Sequence, residues 1–138
     1  MKKGCIIFVG IVLFLSIFLA GCEEKATNVE DGFENIEFES NVTKLVYCKL
    51  NFVTDNNVII RAEVEYLLKN IVDRVLNLRI IAEFYDDDNN LLYISEPHTL
   101  ENMPIGYQES EILASNIIKY NGDFAGIVDY VKLVVNER

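Results

Sequence analysis

The sequence predicts an all-β domain, a small antiparallel two-sheet β-sandwich of about seven strands, preceded by an N-terminal apolar helix. Three observations predict it. Apolar and polar residues alternate singly through the body of the chain. Clusters of Asn, Asp, Gly and Pro interrupt that alternation at short intervals. No stretch after the N-terminal run carries the continuous apolar stripe of a long helix.

The elements follow in order. Ile36 and Phe38 start a first strand. Val46, Cys48, Leu50 and Phe52 then alternate with Tyr47, Lys49 and Asn51, the period of a half-buried strand. Thr54-Asp55-Asn56-Asn57 is a turn cluster, because Asn and Asp tolerate left-handed backbone. Ile60, Ala62, Val64, Tyr66 and Leu68 are expected inward against Arg61, Glu63 and Glu65. A helix there would put Glu63 and Glu65 on separated faces and leave no single apolar stripe.

The next strand turns Leu76, Leu78, Ile80, Ala82 and Phe84 inward and Asn77, Arg79, Glu83 and Tyr85 outward. Asp86-Asp87-Asp88-Asn89-Asn90 and the run Leu91-Leu92-Tyr93-Ile94 complete a hairpin. Pro97 and Pro104 bracket a loop, and Gly106 supplies a turn before a strand near Tyr107 to Leu113. Asn121-Gly122-Asp123 is a further turn, the stretch to Val128 has room for one helical turn, and Tyr130 to Val135 is the last strand. Regularly spaced strands and turns fit a sandwich or a barrel, and strict alternation, which leaves each strand one wet face, favours the sandwich.

Hydrophobic residues make up 51% of the 138 residues, despite a net charge of −10. The excess is N-terminal. Lys2 and Lys3 precede an uncharged run from Gly4 to Gly21 with its apolar core at Ile6 to Leu15, the layout of a secretory signal peptide. The run ends Leu19-Ala20-Gly21-Cys22, which resembles the lipobox of prokaryotic lipoproteins. The resemblance implies cleavage before Cys22 and a thioether-linked lipid on its thiol. A two-chain lipid, at about 0.8 kcal/mol per buried CH₂, anchors stably. An uncleaved membrane-spanning helix is the alternative; Gly10, Ser16 and Gly21 weaken it, and Glu23 and Glu24 follow where stop-transfer cations would stand. Either way the remainder lies outside the cytoplasm, on the outer face of a cell membrane.

Loss of residues 1–21 removes two lysines and no acid, leaving ten basic against 22 acidic residues and a net charge of −12. Such a surface repels phosphate backbones, so nucleic acid is not an expected partner. The organisation expected is residues 1–21 as signal peptide, 22–40 as an acidic stalk and 41–138 as the sandwich. Cys5 leaves with the signal and Cys22 takes lipid, so Cys48 has no intrachain disulfide partner; its register with Val46 and Leu50 makes it a small buried hydrophobe.

A family resemblance lies in the body. A long strand ends near Lys69-Asn70, another ends Phe84-Tyr85-Asp86, an Asp/Asn turn and return strand follow, then Pro104-Ile105-Gly106, and the chain closes with Asp129-Tyr130-Val131-Lys132-Leu133. This resembles the FxLyD domain, an Ig-like β-sandwich module of prokaryotic lipoproteins and exported proteins, over roughly Val58 to Val135. Tyr85 and Asp86 match the end of its motif. Ala82 stands where the first aromatic is expected, Phe84 replaces Leu, and Asn89 and Asn90 stand where the hairpin glycine is usual. The resemblance implies a fold and an exported location, and no activity.

Legible chemistry is sparse. Asp86, Asp88 and Asn90 form D-x-D-x-N, the opening of a calcium loop, but Leu91 stands where an EF-hand needs Gly and Pro97 where it needs Glu. A turn rich in Asp and Asn accounts for the run without metal, so these three are a weak surface candidate. His98, the sole histidine, has no nucleophile motif around it, and with Cys48 it is too few for zinc; it is expected as an exposed loop residue. Asn41-Val42-Thr43 is a glycosylation sequon, with Asn41 its acceptor. The reading is therefore a non-enzymatic extracytoplasmic module, with no cofactor beyond the covalent lipid on Cys22. A protein partner would engage a sheet edge or the outward apolar positions Ile59, Leu67 and Ile81. A small-ligand or calcium-binding module is the alternative, and a hydrolase the least favoured.

Overall fold

In the computed structural model, which describes residues 33–138, the alternating segments become eight strands: β1 (Ile36–Glu39), β2 (Thr43–Asp55), β3 (Val58–Asn70), β4 (Leu76–Tyr85), β5 (Leu91–Ile94), β6 (His98–Met103), β7 (Ile117–Tyr120) and β8 (Tyr130–Glu137). They form a two-sheet sandwich. One sheet runs β1-β8-β4-β5, with β6 also paired to β4; the other runs β2-β3-β7. The N-terminal apolar helix, residues 1–21 and Cys22 lie outside the described residues.

Between the sheets sit the positions of β3 and β4 that the alternation assigns inward. Val64, Tyr66 and Leu68 of β3 face Leu76, Leu78, Ile80, Ala82 and Phe84 of β4, joined by Val131, Leu133 and Val135 of β8, all buried in one core. Tyr120 of β7 stacks on Tyr93 of β5, with ring centroids 4.7 Å apart, and leans on Phe84 at 5.6 Å. This aromatic cluster joins the two sheets.

The turns are made by the residues that suit them. Asn56 and Asn57 both take positive φ, 48° and 65°, which gives the β2–β3 hairpin the local twist that matches its strands. Asn89 does the same at φ 62° in the β4–β5 turn, standing in for glycine. One turn of 3-10 helix, Ala125–Ile127, occupies the stretch expected to hold a helical turn.

Four features differ from expectation, each for a local reason. First, Ile59 and Ile60 exchange faces. Val53 pairs with Arg61 but Thr54 pairs with Ile59, so Ile60 is an extra residue in β3 and lies exposed, while Ile59 packs against the core. A single bulge reverses strand parity from that point on. A second bulge at Val46 does the same to β2, so that Leu45 and Cys48 are the buried residues and Val46 is only partly covered.

Second, the stretch between the prolines is not a loop. His98–Met103 pairs with Leu76–Ile80 as β6, so His98 is a half-buried strand residue. The prolines lie just outside this edge strand, where the missing N–H costs no ladder bond. Ser95 fills the gap between β5 and β6: its N–H donates to Ala82 O and its Oγ accepts from Ala82 N, at 2.9 and 3.0 Å.

Third, residues 107–113 form no strand. Lys69 and Gln108 meet in a single bridge, and Glu109 consumes the next backbone groups of β3: its N–H donates to Leu68 O and its carboxylate accepts from Leu68 N at 2.8 Å. Pairing on that side of β3 passes instead to β7, a strand the sequence reading did not assign. Fourth, β1 pairs in parallel with β8, the one departure from an antiparallel sandwich among the described strands, and it draws residues 36–39 of the acidic 22–40 stretch into the sheet.

Candidate functional site

Strand register divides the loops into two poles. At one, the hairpin pole, lie the β2–β3 turn, the Asp86–Asn90 turn, the 3-10 turn before β8, and the first described residues; Asn35 O accepts from Val131 N at 3.0 Å and Asp129 N donates to Tyr85 O at 2.8 Å. At the other, the Asn70 pole, lie residues 40–42, 70–75, 103–108 and the C-terminus.

The sequence-derived candidates fall as follows. Asp86 is the hub of its turn: its Oδ1 accepts from the N–H groups of Asp88 and Asn90 at 3.0 and 2.8 Å, and its Oδ2 accepts from Asn90 Nδ2 at 3.0 Å. Hydrogen bonds from the Asn90 side chain and backbone hold the Asp86 carboxyl below the usual carboxylate range. Asp86 and Asn90 are thus brought together, but bonded to each other, while Asp88 contributes its backbone. Among the described residues no three His, Cys, Asp or Glu side chains converge as metal ligands. Since calcium would have to displace all three donors, millimolar calcium followed by chelator is expected to leave the melting midpoint unchanged; ligand binding to the native state would raise it.

Asn41 is exposed, whereas the Thr43 of its sequon is buried and donates its hydroxyl to Ser40 Oγ at 2.8 Å. Cys48 is buried and unpaired, and burial pushes its thiol up to about 12. The thiolate is the reactive form, so alkylating reagents are expected to label Cys48 only after denaturation. Iodoacetamide labelling read by mass in native buffer and in guanidinium checks this. His98 Nδ1 lies 3.1 Å from Ser115 O, which also accepts from the Tyr66 hydroxyl at 3.0 Å; a carbonyl can only accept, so the ring carries its proton on Nδ1.

Of the proposed outward apolar positions, none forms an exposed patch. Ile59 is turned inward, Leu67 is buried, and Ile81 is half-covered. The β2 edge is thirteen residues long and, among the described strands, paired only to β3, yet it carries the Val46 bulge and exposed Lys44 and Lys49, features that discourage strand addition.

Exposed apolar side chains lie at both poles, besides others such as Phe52, Ile112 and Leu113 elsewhere. Val58, Ile60, Phe124 and Ile127 lie at the hairpin pole, and Ile71, Val75, Ile105 and Tyr107, each about half exposed, lie at the Asn70 pole. The second group is held from inside by one buried residue. Asn70 Nδ2 donates to Arg74 O at 2.8 Å and to Pro104 O at 2.9 Å, with a longer contact to Met103 O at 3.3 Å. Its Oδ1 accepts from Val72 N at 3.0 Å and its own N–H donates to Tyr107 O at 2.9 Å. Every one of the four exposed residues is therefore on, or next to, a backbone group bonded to or near Asn70. The sequence marks Asn70 only as a strand end; Val72 and Arg74 are close by, but Met103, Pro104 and Tyr107 lie more than thirty residues away, and no local pattern reveals them.

The residues that carry the family resemblance have structural roles. Tyr85 stacks on Tyr130, with centroids 4.9 Å apart and planes 6° from parallel, and donates its hydroxyl to Glu83, which holds its pKa up at about 12. Tyr130 donates to Asn89 Oδ1 at 3.1 Å, tying the last strand to the hairpin turn.

The fold defines a two-sheet β-sandwich. No protein-family model and no curated protein sequence matches the chain. Among solved structures, a crystal structure of Campylobacter jejuni cj0090 is similar at a TM-score of 0.46 and 13% identity, over 76% of this chain and 99% of that one.

Proposed function

We propose that this chain is a lipid-anchored extracytoplasmic module, non-catalytic, that presents its β-sandwich to a protein partner, and that the sandwich is of the FxLyD type. The observation that carries the binding role is the group Ile71, Val75, Ile105 and Tyr107: four large apolar side chains in water on loops fixed by a buried asparagine. Apolar clusters on rigid supports mark interaction surfaces, because exposure without use costs solubility. The anchor half of the reading rests on Leu19-Ala20-Gly21-Cys22 behind its apolar run. Tyr85, stacked on Tyr130, and Asp86, hydrogen-bonded to Asn90 in the turn after β4, support the family assignment.

Intact mass of the membrane-extracted protein tests the anchor. The expected chain begins at Cys22 and carries added lipid mass, and Cys22→Ala is expected to release the chain from membranes or leave it unprocessed. A retained Met1 with no added mass would sink the reading.

A further inference from the structure

We infer that Asn41 is an N-glycosylation acceptor of the chain in export, open before the sandwich closes and shut by folding. This rests on the extracytoplasmic reading above and adds a modification site together with its timing.

The recognition residues stand in one short run. Asn41-Val42-Thr43 supplies the acceptor amide and the hydroxyl that oligosaccharyltransferases bind. Glu39, two positions ahead of the acceptor, supplies the acidic residue that bacterial transferases also require. The donor is an oligosaccharide carried on a polyprenyl diphosphate. Asn41 Nδ2 attacks C1 of its first sugar; the N–C1 bond forms, the bond from C1 to the diphosphate oxygen breaks, and the lipid diphosphate leaves. The displaced amide proton passes to a base of the transferase.

Folding closes this run to an enzyme. Residues 40–42 alone join β1 to β2, and of these only Asn41 is exposed. Val42 is buried in the core, and its carbonyl accepts from Ile71 N at 3.2 Å. Thr43 is 2% exposed and is paired with Asn70 in the β2–β3 ladder. Its hydroxyl, the group the transferase must bind, donates to Ser40 Oγ at 2.8 Å, and that oxygen also accepts from Thr43 N at 3.1 Å. Glu39 is held by Lys132 of β8 at 2.6 Å. Transfer to the folded domain would have to strip Thr43 from its ladder and Val42 from the core. The acceptor amide lies in water, but the residues that present it do not.

The order of emergence opens the site first. A chain led out by an N-terminal signal presents residues 39–43 early. Asn70 follows, and β8, the strand that pairs with β1 and carries Lys132, comes last. β1 cannot dock until residues 131–134 are out, and non-local pairing of this kind is slow. Once the sandwich has closed, a glycan already in place is accommodated, because Asn41 stands in solvent on a surface turn at the Asn70 pole.

The test follows the full-length chain by intact mass, with a bacterial oligosaccharyltransferase and its polyprenyl-diphosphate oligosaccharide. In cells that hold both, the membrane-extracted chain is expected to carry one oligosaccharide, and Asn41→Gln none. The same chain is then purified folded from cells without the transferase and incubated with enzyme and donor in detergent. It is expected to react roughly tenfold or more slowly than a peptide of residues 38–44 in the same tube, since only its locally opened fraction can react. The inference is overturned by no transfer in cells, by transfer that survives Asn41→Gln, by folded chain reacting as fast as the peptide, or by an unreactive peptide. The N-terminus in the same spectra reads the anchor separately: an oligosaccharide on a chain that keeps Met1 and lacks lipid sinks the lipid reading alone.

Discussion

Asn70→Asp is expected to be among the most destabilising substitutions in the domain, costing about 3 kcal/mol or more at neutral pH, from two or three buried groups left unsatisfied at about 1–3 kcal/mol each. The change is almost isosteric, so packing is preserved and only the hydrogen-bonding sign changes. Where Asn70 Nδ2 now donates to the carbonyls of Arg74 and Pro104, a carboxylate would present lone pairs to lone pairs. The Val72 N–H bond to Oδ1 could persist, which makes the loss specific to the donor side. Asn70→Ala removes both sides and leaves a small void, and it is expected to cost somewhat less because no charge is buried. At roughly 4–8 °C per kcal/mol for a domain near 100 residues, the Asp variant should melt more than 12 °C below the wild type. A shift of under 5 °C in a calorimetric scan would mean that water already satisfies these carbonyls.

Gly122→Val is the second large effect. A Cβ placed on Gly122 falls against the Tyr120 ring, with Cζ and Oη only 2.6 Å away. Tyr120 has little room to yield, because it is buried, stacked on Tyr93 and packed on Phe84. Overpacking of this kind costs about 1–3 kcal/mol, and the β-branched side chain should reach the upper end. Coupling identifies the cause. In a Tyr120→Leu background the same substitution should cost much less, and additive costs in the double-mutant cycle would place the strain elsewhere.

These two residues also mark the limits of what the sequence discloses. Gly122 is legible as a turn residue beside Asn121, but its requirement comes from the ring of Tyr120 crossing above it, a contact between side chains rather than a backbone conformation. Asn70 is legible as the end of a strand, yet its side chain also reaches the carbonyls of Met103 and Pro104 at the end of β6, in the other sheet. The outward apolar patch expected at Ile59, Leu67 and Ile81 does not form, because the bulge at Ile60 reverses the face of Ile59 and Leu67 is covered. Register of a bulge depends on the partner strand, and a single strand's pattern does not contain it.

By itself the sequence determined the sandwich class, the Asn-built turns at Asn56-Asn57 and Asn89, the inward set of β4, the last strand, and the apolar run ending at Cys22. Each is written in neighbours two residues apart or in a short contiguous motif, where local physics is sufficient. The tertiary structure alone decided the place of His98 in a strand, the closing of the β3 edge by Glu109, the parallel docking of β1, and the gathering of Ile71, Val75, Ile105 and Tyr107 at one pole. Those depend on which distant backbone groups still lack a partner once the sheets have formed, and buried N–H and C=O groups must find one wherever the chain brings it.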